Sequence, residues 1–223
     1  MQVPNLPKKI MKNLIYLLFL LLAAVSSCKK DSTAANIIYQ DDLVNDKQTW
    51  PVDSSSYYVR NFDQGHYSVR VDTPDRLVFS AAPYGNINFP YTVQVDGISL
   101  LDDINLRGNV AIVFNHVDHI NFDVAEVWTN GTYRIWTRVN NVTSTFVNYT
   151  YSSAINTGSG SKNTIKIIQN QSTVELQINN VSMGTFNIAL PSALVQTGPG
   201  VATAISYYTP MAGIFNNFSI GKN

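Results

Sequence analysis

The stretch Asn109 to Asn140, NVAIVFNHVDHINFDVAEVWTNGTYRIWTRVN, constrains the fold more than any other part of the chain. It reads as three successive antiparallel strands. Asn130-Gly131 lies between Thr129 and Thr132 and is a hairpin signal, because a two-residue type I′ turn needs positive φ at both central residues. Such a turn pairs Trp128 with Tyr133, Val127 with Arg134, Glu126 with Ile135, Ala125 with Trp136 and Asp123 with Arg138. Directly paired residues share a face. One face then carries Phe122, Val124, Glu126, Trp128, Tyr133, Ile135 and Val139 and is expected to be core. The other carries Asn121, Asp123, Ala125, Val127, Arg134, Trp136 and Arg138.

The strand before must join the same core with Val110, Ile112 and Phe114. A one-residue slip flips every side chain, so a five-residue loop, His116 to Ile120, is expected, with Phe114 opposite Phe122. Asn109, Ala111, Val113 and Asn115 then join the second face. A carboxylate on a core face has its pKa raised unless it is hydrogen-bonded or reaches water; Glu126 is therefore expected near the rim of the sheet.

The second face joins small residues, amides and carboxylates to a Trp and two Arg. This mixture suits a sugar, whose C–H face packs on an aromatic plate while planar polar groups satisfy its hydroxyls. Trp136 is the expected stacking platform, with Asp123, Arg134, Arg138, Asn115 and Asn121 as polar contacts. The alternative is an ordinary solvated face, with an Asp123–Arg138 pair worth less than about 1 kcal/mol.

The rest of the chain agrees with an all-β fold. Of 15 acidic residues only Glu126 and Glu175 are Glu; the others are Asp, which bends the backbone where Glu favours helix. Strands are expected at Ile37 to Val44, Tyr57 to Phe62, His66 to Val71, Arg76 to Ser80 and Tyr91 to Asp96 before the central stretch. Ser144 to Tyr151, Thr164 to Gln169, Thr173 to Ile178, Val181 to Ile188, Gly200 to Ser206 and Ile214 to Ile220 follow it. The loop Ala81 to Pro90 could rim a binding site. No stretch keeps a helical period, and the natural solution for these short strands is a two-sheet antiparallel β-sandwich.

At the N-terminus Lys8, Lys9 and Lys12 precede the apolar run Leu14 to Val25, with Ser26-Ser27-Cys28 after it. A basic end, a short apolar core and small residues describe an export signal. Val25-Ser26-Ser27-Cys28 resembles the lipobox of bacterial lipoproteins. That resemblance implies a signal peptide over 1–27, cleavage before Cys28 and a lipid on Cys28 as membrane anchor. The small polar residues that follow read as a tether over 28–36, with a folded domain expected over 37–223. Lys29 and Lys30 stand where Asp would imply retention at the inner membrane, so the outer membrane of a Gram-negative envelope is expected. Of the chain's 15 basic residues, removal of Lys8, Lys9 and Lys12 leaves 12 against 15 acidic. No basic stripe for a nucleic acid backbone results.

Six sets of residues resemble the concanavalin A-like jelly roll of the laminin-G and family 16 glucanase-like domains. They are Asp41-Asp42-Leu43 with Trp50-Pro51, Gly65 to Arg70, Val113-Phe114-Asn115 with Asn121-Phe122, Asn163 to Ile167, Ile178-Asn179-Asn180 and Phe215 to Ile220. The resemblance spans nearly all of 37–223. The glucanase relatives carry acids at alternate positions of one strand, so that both enter one cleft. Here Asp123 and Glu126 are three apart, which places them on opposite faces, and positions 125 and 127 are Ala and Val. The expected function is therefore glycan binding without catalysis. A glycoside hydrolase using Asp123 or Glu126, and a structural or protein-binding envelope module, stand as alternatives.

No cofactor is expected. Asp41, Asp42 and Asp46, or Asp102 and Asp103, could offer oxygen to calcium, which some members of the resembled fold bind, but neither run has a calcium-loop spacing. His116, Asp118 and His119 read as a solvated turn. Cys28 is the one cysteine, so the chain holds neither an internal disulfide nor a Cys/His zinc motif.

Overall fold

The structure, a computed structural model, describes residues 36–85, 87–101, 108–188, 198–204 and 210–222. The leader, Cys28, the tether up to residue 35, Asp102 and Asp103 lie outside the described residues. Fifteen strands are found among them: β1 (Asn36–Asp41), β2 (Asp53–Ser54), β3 (Tyr58–Asp63), β4 (His66–Val71), β5 (Leu77–Ala81), β6 (Tyr91–Leu101), β7 (Asn109–Asp118), β8 (Asn121–Trp128), β9 (Thr132–Val139), β10 (Val142–Tyr151), β11 (Lys162–Gln169), β12 (Thr173–Ile178), β13 (Val181–Asn187), β14 (Gly200–Ala204) and β15 (Met211–Lys222). Every pairing is antiparallel. One sheet runs β10-β9-β8-β7-β14-β5; the other runs β13-β12-β11-β6-β15-β4-β3-β2, with β1 also paired to β15. This is the two-sheet sandwich expected from the sequence.

The core lies between the sheets. Ile165 and Ile167 of β11 alternate inward with Val174, Leu176 and Ile178 of β12, and they meet Val110, Ile112, Phe114, Ala125, Val127 and Ile135 of the six-stranded sheet. The sheets approach closely here, since a Cβ on Gly97 would stand 2.9 Å from Val110 Cγ2. At the other end Trp50 packs on Tyr67 and Phe218 at 5.3 and 5.1 Å and donates its Nε1–H to Asp41.

Three hairpins have two-residue turns with positive φ at both positions, as type I′ requires: Gln64-Gly65, Asn140-Asn141 and Asn179-Asn180. Asn130-Gly131 is different. Only Gly131 takes a positive φ, 84°, and its N–H donates to Trp128 O at 3.0 Å. The turn is therefore one residue longer, and the register of β8 on β9 corrects the expected one by a single position. Val127 opposes Tyr133, Glu126 opposes Arg134, Val124 opposes Trp136 and Asp123 opposes Thr137.

The β7–β8 connection departs as well. β7 runs on to Asp118, which pairs with Asn121, and two extra residues of β7 are absorbed by a bulge after Phe114, with Asn115 at φ 48°. Phe114 faces Asp123 rather than Phe122. Val110, Ile112 and Phe114 enter the core as expected; Phe122, Val124, Glu126 and Trp128 do not. They face outward, and Asp123, Ala125 and Val127 face in. The expectation assigned the larger apolar side chains of β8 to the core, but the close approach of the sheets leaves room there for the smaller set.

Candidate functional site

The corrected register gives the outer face of the six-stranded sheet an unusual chemistry. Following partners across the strands, Phe79, Ala202, Ala111, Glu126 and Arg134 stand in one row, and Ala81, Gly200, Val113, Val124, Trp136 and Thr145 in the next. Small residues form the floor, and rings rise beside them. Ala111, Val113, Phe122, Val124, Trp136 and Ala202 pack with Leu77 and Phe79 into an apolar cluster separate from the sandwich core. Its rings are in contact: Phe122 lies 5.9 Å from Phe79 and 5.7 Å from Trp136.

Glu126 is the node of this face. It is 1% exposed, yet both oxygens are occupied. Arg134 donates from Nε to Oε2 at 2.9 Å and from Nη2 to Oε1 at 3.1 Å. Trp136 Nε1 donates to Oε1 at 2.8 Å and Trp128 Nε1 to Oε2 at 3.1 Å. Burial pushes its carboxyl pKa up, against the pull of the Arg134 charge and the indole donors. The expectation of a Glu126 near the rim on the core side is corrected: a buried carboxylate needs donors, and for Glu126 they are Arg134, Trp128 and Trp136 on the outer face.

Asp123 and Asn115 leave the expected site for the interior. Asn115 Nδ2 donates to Asp123 Oδ2 at 2.8 Å and to Gln169 Oε1 at 3.4 Å, and Tyr91 Oη donates to Asn115 Oδ1 at 3.0 Å. Burial raises the Asp123 pKa to about 6, with the Thr137 and Asn115 hydrogen bonds opposing the rise. Asn121 ties two hairpins at the sheet's end, donating to Asp118 and accepting from Asn140 N. The expected Asp123–Arg138 pair is absent, because Arg138 stands opposite Phe122.

Arg134, Trp136 and Arg138 do share the outer face. Trp136 is only 5% exposed, with Arg134 and Arg138 at 5.6 and 6.0 Å from its ring. It supports the surface instead of offering an open plate. The exposed ring is Tyr149 of β10, 51% exposed, which lies 5.7 Å from Trp128 and 4.7 Å from the Arg134 guanidinium.

Two adjoining hollows occupy this face. One of about 310 Å³ is lined by Glu126, Trp128, Arg134, Trp136 and Tyr149. The other, about 800 Å³, is lined by Tyr57, Tyr58, Arg60, Phe79, His119 and Phe122. They share Asp75, Arg76, Leu77 and Arg138 and so form one trough. Tyr57, Asp75, Arg76 and Tyr149 were not singled out from the sequence. A usable signal for Glu126 was present: a carboxylate with Trp at i+2 on a strand has an indole donor on its own face.

Among the described residues no group of three or more His, Cys, Asp and Glu comes together to hold a metal. Asp41 accepts from Leu43 N and Trp50 Nε1, Asp118 accepts from Ile120 N and Asn121, and His116 packs edge-on to Phe79 at 4.7 Å. The predicted loop rim does not reach the trough either, as Tyr84 packs on Tyr39 at 5.4 Å against the core.

No protein-family model matches the sequence, and no curated protein matches it. Solved structures do match in shape. The carbohydrate binding module CBM66 from Bacillus subtilis superposes with a TM-score of 0.55 at 14% identity, covering 84% of this chain and 98% of that one. A protein with a galectin-like fold from Bacillus subtilis gives 0.57 at 11% identity, covering 84% and 96%. The Bacillus licheniformis beta-glucanase gives 0.55 at 10% identity, covering 85% and 100%. The chain thus has the concanavalin A-like jelly-roll fold.

Proposed function

We propose that the protein is a lipid-anchored envelope protein, held through Cys28 at the outer membrane of a Gram-negative cell, whose sandwich binds a glycan in the outer-face trough without cleaving it. The observation that carries this reading is the state of Glu126. Among the described residues two carboxylates line the trough, Asp75 and Glu126. Glycoside hydrolysis needs one to give a proton and the other to attack or to activate water. Both Glu126 oxygens are held by Arg134 and two indoles, so the carboxylate that β8 presents to the trough is structural, and the other acid of that strand, Asp123, faces the interior. What remains is a binding surface with an exposed Tyr149, a second ring at Tyr57, an apolar floor and four guanidinium groups. Rings and planar polar groups set side by side are the chemistry of sugar recognition. The names of the structural relatives, a carbohydrate binding module and a beta-glucanase among them, support a carbohydrate as ligand.

The test is electrophoresis of the protein through gels carrying soluble polysaccharides, with a reducing-end assay on the same mixtures. Retardation by at least one polysaccharide is expected, reduced about fivefold in apparent affinity by Tyr149→Ala, because stacking on one exposed ring is worth on the order of 1 kcal/mol. No reducing ends should accumulate; their release would establish the hydrolase instead. In cells, Cys28→Ser should move the protein out of the membrane fraction.

A further inference from the structure

The distribution of positive charge goes beyond a generic sugar site. The chain has six arginines and nine lysines. Four of the arginines, Arg60, Arg76, Arg134 and Arg138, line the trough, and among the described residues no lysine does. Arg is the residue whose planar fork matches a carboxylate or sulfate with two parallel hydrogen bonds.

Two of the four are already used. Arg60 binds Asp53 through Nε at 2.6 Å and through Nη2, and Arg134 binds Glu126. The other two are not. Among the described residues neither Arg76 nor Arg138 has a carboxylate within 4.0 Å. Arg76 lies 4.3 Å from the Tyr57 ring centroid. Arg138 lies 5.5 Å from the Phe122 ring, and its Nε is buried with no acceptor among the described residues. A guanidinium set against a ring keeps its in-plane N–H groups for another partner. Both border both hollows.

We infer that the trough selects an acidic glycan, one whose sugar rings carry carboxylate or sulfate groups, with Arg76 and Arg138 as the anion-binding pair. This deepens the glycan-binding reading and rests on it. Tyr57 and Phe122 hold the two guanidiniums in place, so little side-chain freedom is lost when the anion binds. Tyr149 takes a ring face farther along. The pairing of Arg60 and Arg134 with protein carboxylates leaves Arg76 and Arg138 against one further lining carboxylate, Asp75, a net positive balance in a chain that otherwise carries slightly more acid than base once its leader is gone.

Isothermal titration with oligogalacturonate, its carboxyl-reduced neutral counterpart and a carrageenan oligosaccharide separates the possibilities. At least one acidic glycan should bind at least tenfold more tightly than the neutral chain, and affinity should fall as NaCl is raised from about 50 to 500 mM, as screening requires. A response to the uronate alone assigns carboxylate; to carrageenan alone, sulfate. Arg76→Gln, on an exposed side chain, should weaken binding about tenfold. Arg138→Gln should do the same and Arg138→Lys recover part of the loss, with unchanged thermal unfolding midpoints showing that each variant is folded. Equal affinity for acidic and neutral chains, insensitive to salt and to Arg76→Gln, would overturn the inference while leaving glycan binding intact. Binding of none of these, together with no retardation in polysaccharide gels, would overturn both.

Discussion

Replacing Glu126 by Ala should lower stability by about 3–5 kcal/mol, the usual cost of removing one partner from a buried ion pair. Three donors are stranded at once. The Arg134 guanidinium loses its counter-charge, and the indole N–H groups of Trp128 and Trp136 lose their acceptor in a site from which water is excluded. At roughly 2–4 °C per kcal/mol for a domain of this size, the unfolding midpoint should fall by about 6–20 °C. Glu126→Gln should fall between the two. Its carbonyl oxygen can still accept, but its amide meets a donor where an oxygen stood. Thermal unfolding followed by circular dichroism reads both. A surface carboxylate would lose less than about 1 kcal/mol, so a small effect would remove Glu126 from its place at the centre of this face.

The second large effect is on the pH dependence of stability. Asp123 has a folded pKa of about 6 against an ordinary 3.8, and desolvation between the sheets is the main cause. A carboxyl that holds its proton more tightly when folded contributes its full share below about pH 4. As pH rises from 4 to 6 the unfolded chain gives up this proton and the folded chain does not, so stability falls; above 6 the loss is constant. Two pH units at 1.36 kcal/mol each make the change about 3 kcal/mol. Asp123→Asn keeps the shape and has no proton to lose. Urea unfolding of both proteins at pH 4, 5, 6 and 7.5 should show the variant gaining on the wild type through this window, by about 2–3 kcal/mol at the top. Parallel profiles would mean that Asp123 titrates alike in both states.

How much of this was legible in the sequence depends on the range over which each feature is decided. Strand alternation is local, so the sandwich, the hairpins at 63–65 and 179–180 and the inward set Val110, Ile112 and Phe114 could be read directly. The faces of β8 could not. Phe122, Val124 and Trp128 on one side and Ala125 and Val127 on the other are both apolar, so the pattern does not say which side is the core. The turn then decides which side faces in. Asn130-Gly131 satisfies a type I′ turn as well as the longer turn adopted, and one residue of difference moved Glu126 to the side of Trp136 and Asp123 away from it. The bulge at Asn115 compensated on the other edge, which no local rule signals. The arginines at 134 and 138 were placed on the right face because β9 has only one apolar side strong enough for the core. Tyr149, Tyr57 and Arg76 come from distant strands and loops; only the paired sheet brings them to the same trough.

Amide NMR spectra recorded during titration with an oligosaccharide from the polysaccharide that retards the protein test the central claim most directly. Shifts should cluster at Arg76, Phe79, Glu126, Arg134, Arg138 and Tyr149, on the outer face of the six-stranded sheet. Shifts confined to the open face of the other sheet, around Asn61, Ser68 and Arg70, where a separate hollow lies, would contradict it.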